Sequence, residues 1–447
     1  MKQRFLAVSE EADKRQEERF LVWLKGEGIP FVDLSAEQAY RERITLLKDA
    51  IQLERPPKRI PVCPSAGFFP VEYAGIPMYD AMYDYRALHR AWDSYHQAFE
   101  PDAYNSPTTI VPGRVLDTLD LKIYQWPGHG VSKEREYQYV EGEYMKAEEY
   151  QDLIDDPTAF FVNAYLPRVF GALKPFTTFP LLPPVNEIPL VPPMAMPFGA
   201  ENMREALDSL VRAGDEALLW RAAVRNIGEG VMGRGFPSFS GGFTKAPFDV
   251  IGDSLRGTKG VMLDMFRHQD ELKEACERLI PSMIKCAVAA CRATGHLMPF
   301  IPLHKGADGF MSQEQFKVFY WPTLRKLIIG LIDEGLVPQL FAEGGYNSRL
   351  EIISDVPKGK VVWWFDRTDM KRAKETVGRV ACIAGNVPMD LLCTGTPDEV
   401  KAYCRELIDS AGRDGGFILS SGAGLQGSKS ENVKAMIDFS KEYGRYR

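Results

Sequence analysis

Apolar residues in the C-terminal half of the chain fall into short unbroken runs, each closed by a polar residue. Pro299-Phe300-Ile301-Pro302-Leu303 ends in His304, and Val337-Pro338-Gln339-Leu340-Phe341-Ala342 ends in Glu343. Val361-Val362-Trp363-Trp364-Phe365 ends in Asp366, Val380-Ala381-Cys382-Ile383-Ala384-Gly385 in Asn386, and Phe417-Ile418-Leu419 in Ser420-Ser421. Continuous apolar strands are those covered on both faces, so the pattern predicts a parallel sheet wrapped by helices. Polar residues gathered at strand C-termini predict a site at that rim. The intervening stretches carry helical signals. Ala36–Leu53 repeats apolar residues on one face, and Arg55-Pro56-Pro57 stops it. Ser312 with Gln315 has capping-box spacing, Thr396-Pro397-Asp398-Glu399 starts a further helix, and Asp369 reads as an N-cap.

Earlier in the chain the pattern is less regular. Ile60–Pro64 reads as a first strand, with Glu100–Tyr104 and Leu121–Trp126 as further strands. Met262–Thr294 reads as two helices meeting at Ile280-Pro281. Eight prolines between Lys174 and Pro197 predict an extended insertion or lid. Glu141, Glu143, Glu148 and Glu149 read as a solvated helix face.

Composition narrows the function classes. A net charge of −7 without a basic stripe argues against nucleic acid or an anionic membrane as partner. There is no eighteen-residue apolar run and no signal-peptide pattern at the N-terminus. Seven cysteines without CxxC spacing suit a reducing cytoplasm, and Cys276, Cys286 and Cys291 read as helix packing residues.

Gly385-Asn386-Val387-Pro388, Gly395-Thr396-Pro397-Asp398-Glu399-Val400, Gly415-Gly416-Phe417-Ile418-Leu419 and Glu431-Asn432-Val433-Lys434-Ala435-Met436 resemble, in order and spacing, the C-terminal third of the uroporphyrinogen decarboxylase superfamily. That superfamily also contains cobalamin-dependent methyltransferases. The resemblance implies an α/β fold: a single (β/α)8 TIM barrel over residues 56–447, with an N-terminal helical extension over 1–55 and a Pro-rich insertion near 174–200. Of two departures, the first points toward the methyltransferase branch, and the second is from that branch's own zinc pattern, so the metal is either gone or held by different residues. The loop Pro64-Ser65-Ala66-Gly67-Phe68-Phe69-Pro70 lacks the arginines with which true decarboxylases clamp tetrapyrrole carboxylates. Zinc-dependent methyltransferases carry His-x-Cys on one strand and a later Cys; here the positions read Phe341-Ala342-Glu343 and Ser421-Gly422-Ala423-Gly424-Leu425.

The expected function is therefore methyl transfer between a small molecule and the cobalt of a corrinoid carried by a separate partner protein, assisted by zinc. His304, Glu343 and Cys382 are the expected metal ligands; Glu343, His304 and Asp366 the catalytic residues; and Tyr346, Asn347, Arg349, His129 and Phe68 the substrate contacts. A homodimer is a candidate assembly. The alternatives are a metal-free decarboxylase or lyase acting on a smaller acid, and a non-catalytic binding barrel.

Overall fold

The computed structural model describes residues 8–180 and 187–446. Six parallel strands form one sheet in chain order: β1 Gly242–Phe243, β2 Pro299–Leu303, β3 Gln339–Ala342, β4 Val362–Phe365, β5 Cys382–Val387 and β6 Phe417–Ser421. The sequence order of neighbours and the helices between them are what successive βα units produce. Outward residues such as Ile301, Leu340, Trp363 and Phe365 are fully buried. Trp363, for example, lies 6.5 Å from the Trp321 ring on helix Trp321–Asp333.

Both edges of the sheet continue into further parallel segments. At the β6 edge, Cys63 N–H donates to Leu419 O and Leu419 N–H to Pro61 O, and Asp102 N–H donates to Val62 O. At the β1 side, Gly241 N–H donates to Met298 O, Phe239 N–H to Tyr104 O, and Tyr104 N–H to Pro237 O. Parallel bridges pair Val62 with Leu419 and Tyr104 with Ser238. Ile60–Pro64 and Glu100–Tyr104 thus take the places expected of strands, although each makes only isolated bridges. Arg59 clamps these segments: its guanidinium meets Asp102 in a fork of 2.5 and 2.7 Å, and Asp102 also accepts from Val62 N–H. Burial opposes the charge of Asp102, but the Arg59 hydrogen bonds and charge outweigh it and hold the carboxyl below its ordinary range.

Leu121–Trp126 departs from the expectation of a strand in the main sheet. Tyr124–Pro127 instead joins Gly130–Val131 and Gln138–Tyr139 in a small separate sheet. The helical break falls at His268, between Gly257–Arg267 and Gln269–Thr294, and Pro281 sits inside the second helix. The Pro-rich stretch is not extended throughout. Gly171–Thr178, Ile188–Leu190, Val191–Ala195 and Met196–Gly199 are short helical turns; in the last three a proline occupies the first turn, where its missing N–H costs nothing. Residues 181–186 of that stretch lie outside the described residues. The capping boxes at Ser312 and Thr396 and the Asp369 cap are formed. Helices Glu10–Lys25 and Leu34–Gln52 place Phe20, Trp23, Tyr40, Ile44 and Leu47 in the same hydrophobic core as the strands. Among the described residues no helix is long and apolar enough to cross a membrane.

Candidate active site at the strand C-termini

The register of the sheet decides which side chains share the rim. Leu303 pairs with Ala342, and Ala342 with Phe365. The next residues, His304, Glu343 and Asp366, therefore leave neighbouring strands at one level, and alternation turns all three away from the helical layer. His304 Nε2 lies 3.6 Å from Glu343 Oε2. Asp366 accepts from Gly344 N–H at 3.0 Å, which fixes the turn carrying Glu343.

Three residues of this cluster lie where the sequence reading marked nothing. Lys245, Asp249 and Asp253 follow the two-residue strand β1. Asp253 Oδ2 meets His304 Nδ1 at 2.6 Å and Lys245 Nζ at 2.7 Å, while Lys305 Nζ approaches Oδ1 at 3.3 Å. Asp249 is fully buried and accepts three hydrogen bonds: from His304 N–H and Lys305 N–H, both at 3.0 Å, and from Tyr320 OH at 2.7 Å. Asp249 thus fixes the backbone of the 304–305 turn, and Asp253 fixes the imidazole. The available signal was the spacing: two aspartates four apart share one face of a helical turn after a strand.

The electrostatics follow from these contacts. Burial and the neighbouring Asp253 push Asp249 up to about 6. Burial also opposes ionisation of Asp253, but the His304 hydrogen bond and Lys245 reverse this and hold it low. Burial works against the His304 charge as well; the hydrogen bond and charge of Asp253 prevail and raise its pKa. The result is an imidazole with Nδ1–H committed to a carboxylate and Nε2 turned to Glu343. The His304 side chain is 38% exposed and that of Glu343 54%, so the pair faces a cleft. The cleft encloses about 600 Å³ and is also bordered by Tyr124, Tyr139, Glu141 and Thr258. Glu141 accepts from Thr258 N–H and lines this cleft, and Glu143 pairs with buried Arg256. Neither is on a solvated helix face. A larger cavity of about 780 Å³ lies away from this cluster, between helix Leu34–Gln52 and Arg445-Tyr446.

Several expected site residues are elsewhere. Cys382 opens β5, the strand end opposite the rim, roughly 16 Å of strand from Val387 at about 3.3 Å per residue. It is fully buried, and burial pushes its thiol up to about 12. The zinc set therefore fails. His304 and Glu343 supply two donors, Nδ1 of His304 is taken, and two lysines stand beside Asp253. Among the described residues no group of three His, Cys, Asp or Glu is placed to hold a metal ion. A catalytic zinc site needs three protein ligands, so these residues do not fit one. Cys382→Ser is expected to leave turnover within about twofold while lowering the unfolding midpoint, because a buried hydroxyl without a partner costs about 1–3 kcal/mol. A hundredfold loss of turnover at unchanged stability would place Cys382 in the site after all.

Tyr346 is fully buried beneath the rim, its OH 3.4 Å from Leu303 O. Gly306 permits this packing, since a Cβ there would fall 2.5 Å from the Tyr346 OH. Arg349 is also buried; it donates to Gly306 O and Met311 O and covers the Phe316 ring at 4.8 Å. It is a strut for the 306–311 loop rather than a substrate contact. Asn347 accepts from Asp369 N–H at the next helix start. His129 pairs with Asp117 at 3.1 Å and stacks on Trp126 in the small sheet, outside the cleft lining. Phe68 meets Tyr137 at 5.3 Å, and Tyr137 meets Tyr124 at 5.4 Å, so it reaches the cleft wall only through other rings. Cys286 is exposed, unlike Cys276 and Cys291.

A parallel α/β sheet with its polar cluster at the strand C-termini defines the class of fold to which such a site belongs. Residues 237–443 match the family model described as uroporphyrinogen decarboxylase (URO-D), so the resemblance read from the sequence is shown for this part of the chain. The chain is similar in structure to a methyltransferase from Methanosarcina mazei, with a TM-score of 0.59 and 18% identity over 91% of this chain and 98% of that one. At that identity the likeness establishes the fold. No curated protein matches the chain.

Proposed function

We propose that this chain is a methyltransferase with a (β/α)8 barrel. It moves a methyl group between a small molecule and the cobalt of a corrinoid held by a partner protein. The backbone bonds at both sheet edges support the barrel. The fold shared with a protein named a methyltransferase and the missing arginine clamp support the reaction.

The observation that carries the chemistry is the Asp253–His304–Glu343 line at an open rim. A corrinoid supplies a strongly nucleophilic low-valent cobalt; this chain must activate the group that the methyl leaves. When the bond from methyl carbon to heteroatom breaks, the electron pair stays on the heteroatom, which needs a proton. His304 Nε2–H supplies it, Asp253 stabilises the imidazolium beforehand, and exposed Glu343 returns a proton from solvent. Lys245 and Lys305 hold Asp253 ionised, and Asp249 keeps the 304–305 turn in place.

The pH dependence tests this assignment. His304 must be protonated and its pKa is raised, so kcat falls as pH rises through a value above the ordinary 6.5. On the acid side, kcat falls as Asp249 protonates near 6 and releases the turn. A narrow bell between these limbs is expected in a pH–rate profile. A profile flat from pH 5 to 9 removes His304 from the proton transfer.

A further inference from the structure

The inner face of the barrel carries an aromatic patch that the proton chemistry above does not use. Phe243, Phe300, Phe341 and Trp364 lie on four successive strands. Their rings form a chain, Phe243–Phe300 at 6.4 Å, Phe300–Phe341 at 6.3 Å and Phe341–Trp364 at 4.5 Å. Phe300 also meets Trp364 at 6.1 Å, although β3 lies between their strands. Rings two strands apart touch in this way on the concave inner face of a curved sheet. Outward neighbours Ile301, Leu340, Trp363 and Phe365 are fully buried against the helices, whereas Phe243 is 56% exposed, Phe300 and Phe341 are half-buried, and Trp364 is the one buried ring of the four. The three phenylalanines therefore leave apolar surface uncovered inside the sheet, with Trp364 as the buried end of the ring chain. Trp364 is held rigid by donating its indole N–H to Ser421 O at 2.8 Å.

Strand alternation connects this patch to the rim. Phe341 precedes Glu343 by two residues, Trp364 precedes Asp366 by two, and Phe243 precedes Lys245 by two. Each pair shares a face, and two residues of strand span about 6.6 Å. That distance is about the reach of a six-membered ring with one heteroatom attached. We infer that these four rings form a subsite for an aryl group, so that the substrate is an aryl methyl ether or a similar aryl heteroatom compound. The ring lies on the aromatic floor, the heteroatom stands level with His304 and Glu343, and the methyl group points out of the mouth. The substrate class rests on the methyl-transfer reading; the subsite does not, because it is an apolar surface with rim polar groups placed to orient a ligand.

Binding separates the two. The purified full chain is titrated calorimetrically with 2-methoxyphenol and with 2-methoxyethanol, which carries the same two oxygens without the ring. The expected result is at least tenfold tighter binding of 2-methoxyphenol. Phe341→Leu and Phe300→Leu, which keep an apolar side chain, should each weaken it about fivefold at an unchanged thermal midpoint. Equal or undetectable binding of the two compounds, or both variants binding as tightly as the unmodified chain, overturns the subsite. If the aryl ether binds as expected but no methyl group passes to a corrinoid acceptor, the subsite stands and the methyl-transfer reading falls. If only aliphatic donors are demethylated, the reading stands and the subsite falls.

Discussion

Asp253→Asn is expected to lower kcat for methyl transfer by about 10²-fold or more while leaving KM within a few-fold. The amide keeps the size of the side chain but removes the charge that stabilises the imidazolium. It can also present its NH₂ to Nδ1, forcing the proton of a neutral ring onto Nε2. Losing the partner that orients a functional histidine costs about 10- to 100-fold in metal sites and more where tautomer and charge both matter. The variant should also shift the alkaline limb of the pH–rate profile downward, since His304 loses the interaction that raises its pKa. Lys245 at 2.7 Å and Lys305 at 3.3 Å then lack a counter-charge and lower it further. A variant with normal kcat and an unmoved limb would show that Asp253 only packs against the turn.

Arg59→Ala is expected to destabilise the chain by about 3 kcal/mol, read as a lowered urea midpoint, without altering the cleft. Removing one partner of a buried pair leaves the other charge uncompensated, typically at about 3–5 kcal/mol. The low end applies because Arg43 and Lys441 each lie 3.9 Å from Asp102. The sign with pH is fixed by the depressed carboxyl. Stability from the pair is fully present above the unfolded-state pKa of about 3.9 and is lost as pH falls through the lower folded value. The unmodified chain should therefore lose stability more steeply in acid than Arg59→Ala, and parallel acid limbs would contradict the clamp.

Particular residues show what the sequence carried. His304, Glu343 and Asp366 were legible because each ends an apolar run, and a run covered on both faces must be a strand whose polar end reaches water. Asp249 and Asp253 were not, because the strand before them is Gly242–Phe243, too short to register as a run. Cys382 was misplaced for a related reason. The apolar run starts at Val380, but Val377–Arg379 is a helical turn and the strand opens only at Cys382, so the run does not mark which strand end the thiol occupies. Tyr346 and Arg349 follow a rim residue and looked like substrate contacts. Whether a loop arginine turns to solvent or to carbonyl groups below depends on how neighbouring loops stack, which is a tertiary property.

The proposed reaction has the rim imidazole, without zinc, drive departure of the methyl group from its donor. Its most direct test is single-turnover methyl transfer to a reduced corrinoid protein, followed by corrinoid absorbance, with chelator-treated chain and with His304→Gln. Transfer by the chelator-treated chain at the untreated rate, with at least a hundredfold loss in His304→Gln, is the predicted result. Transfer abolished by the chelator and restored by zinc, or undiminished in His304→Gln, would contradict it.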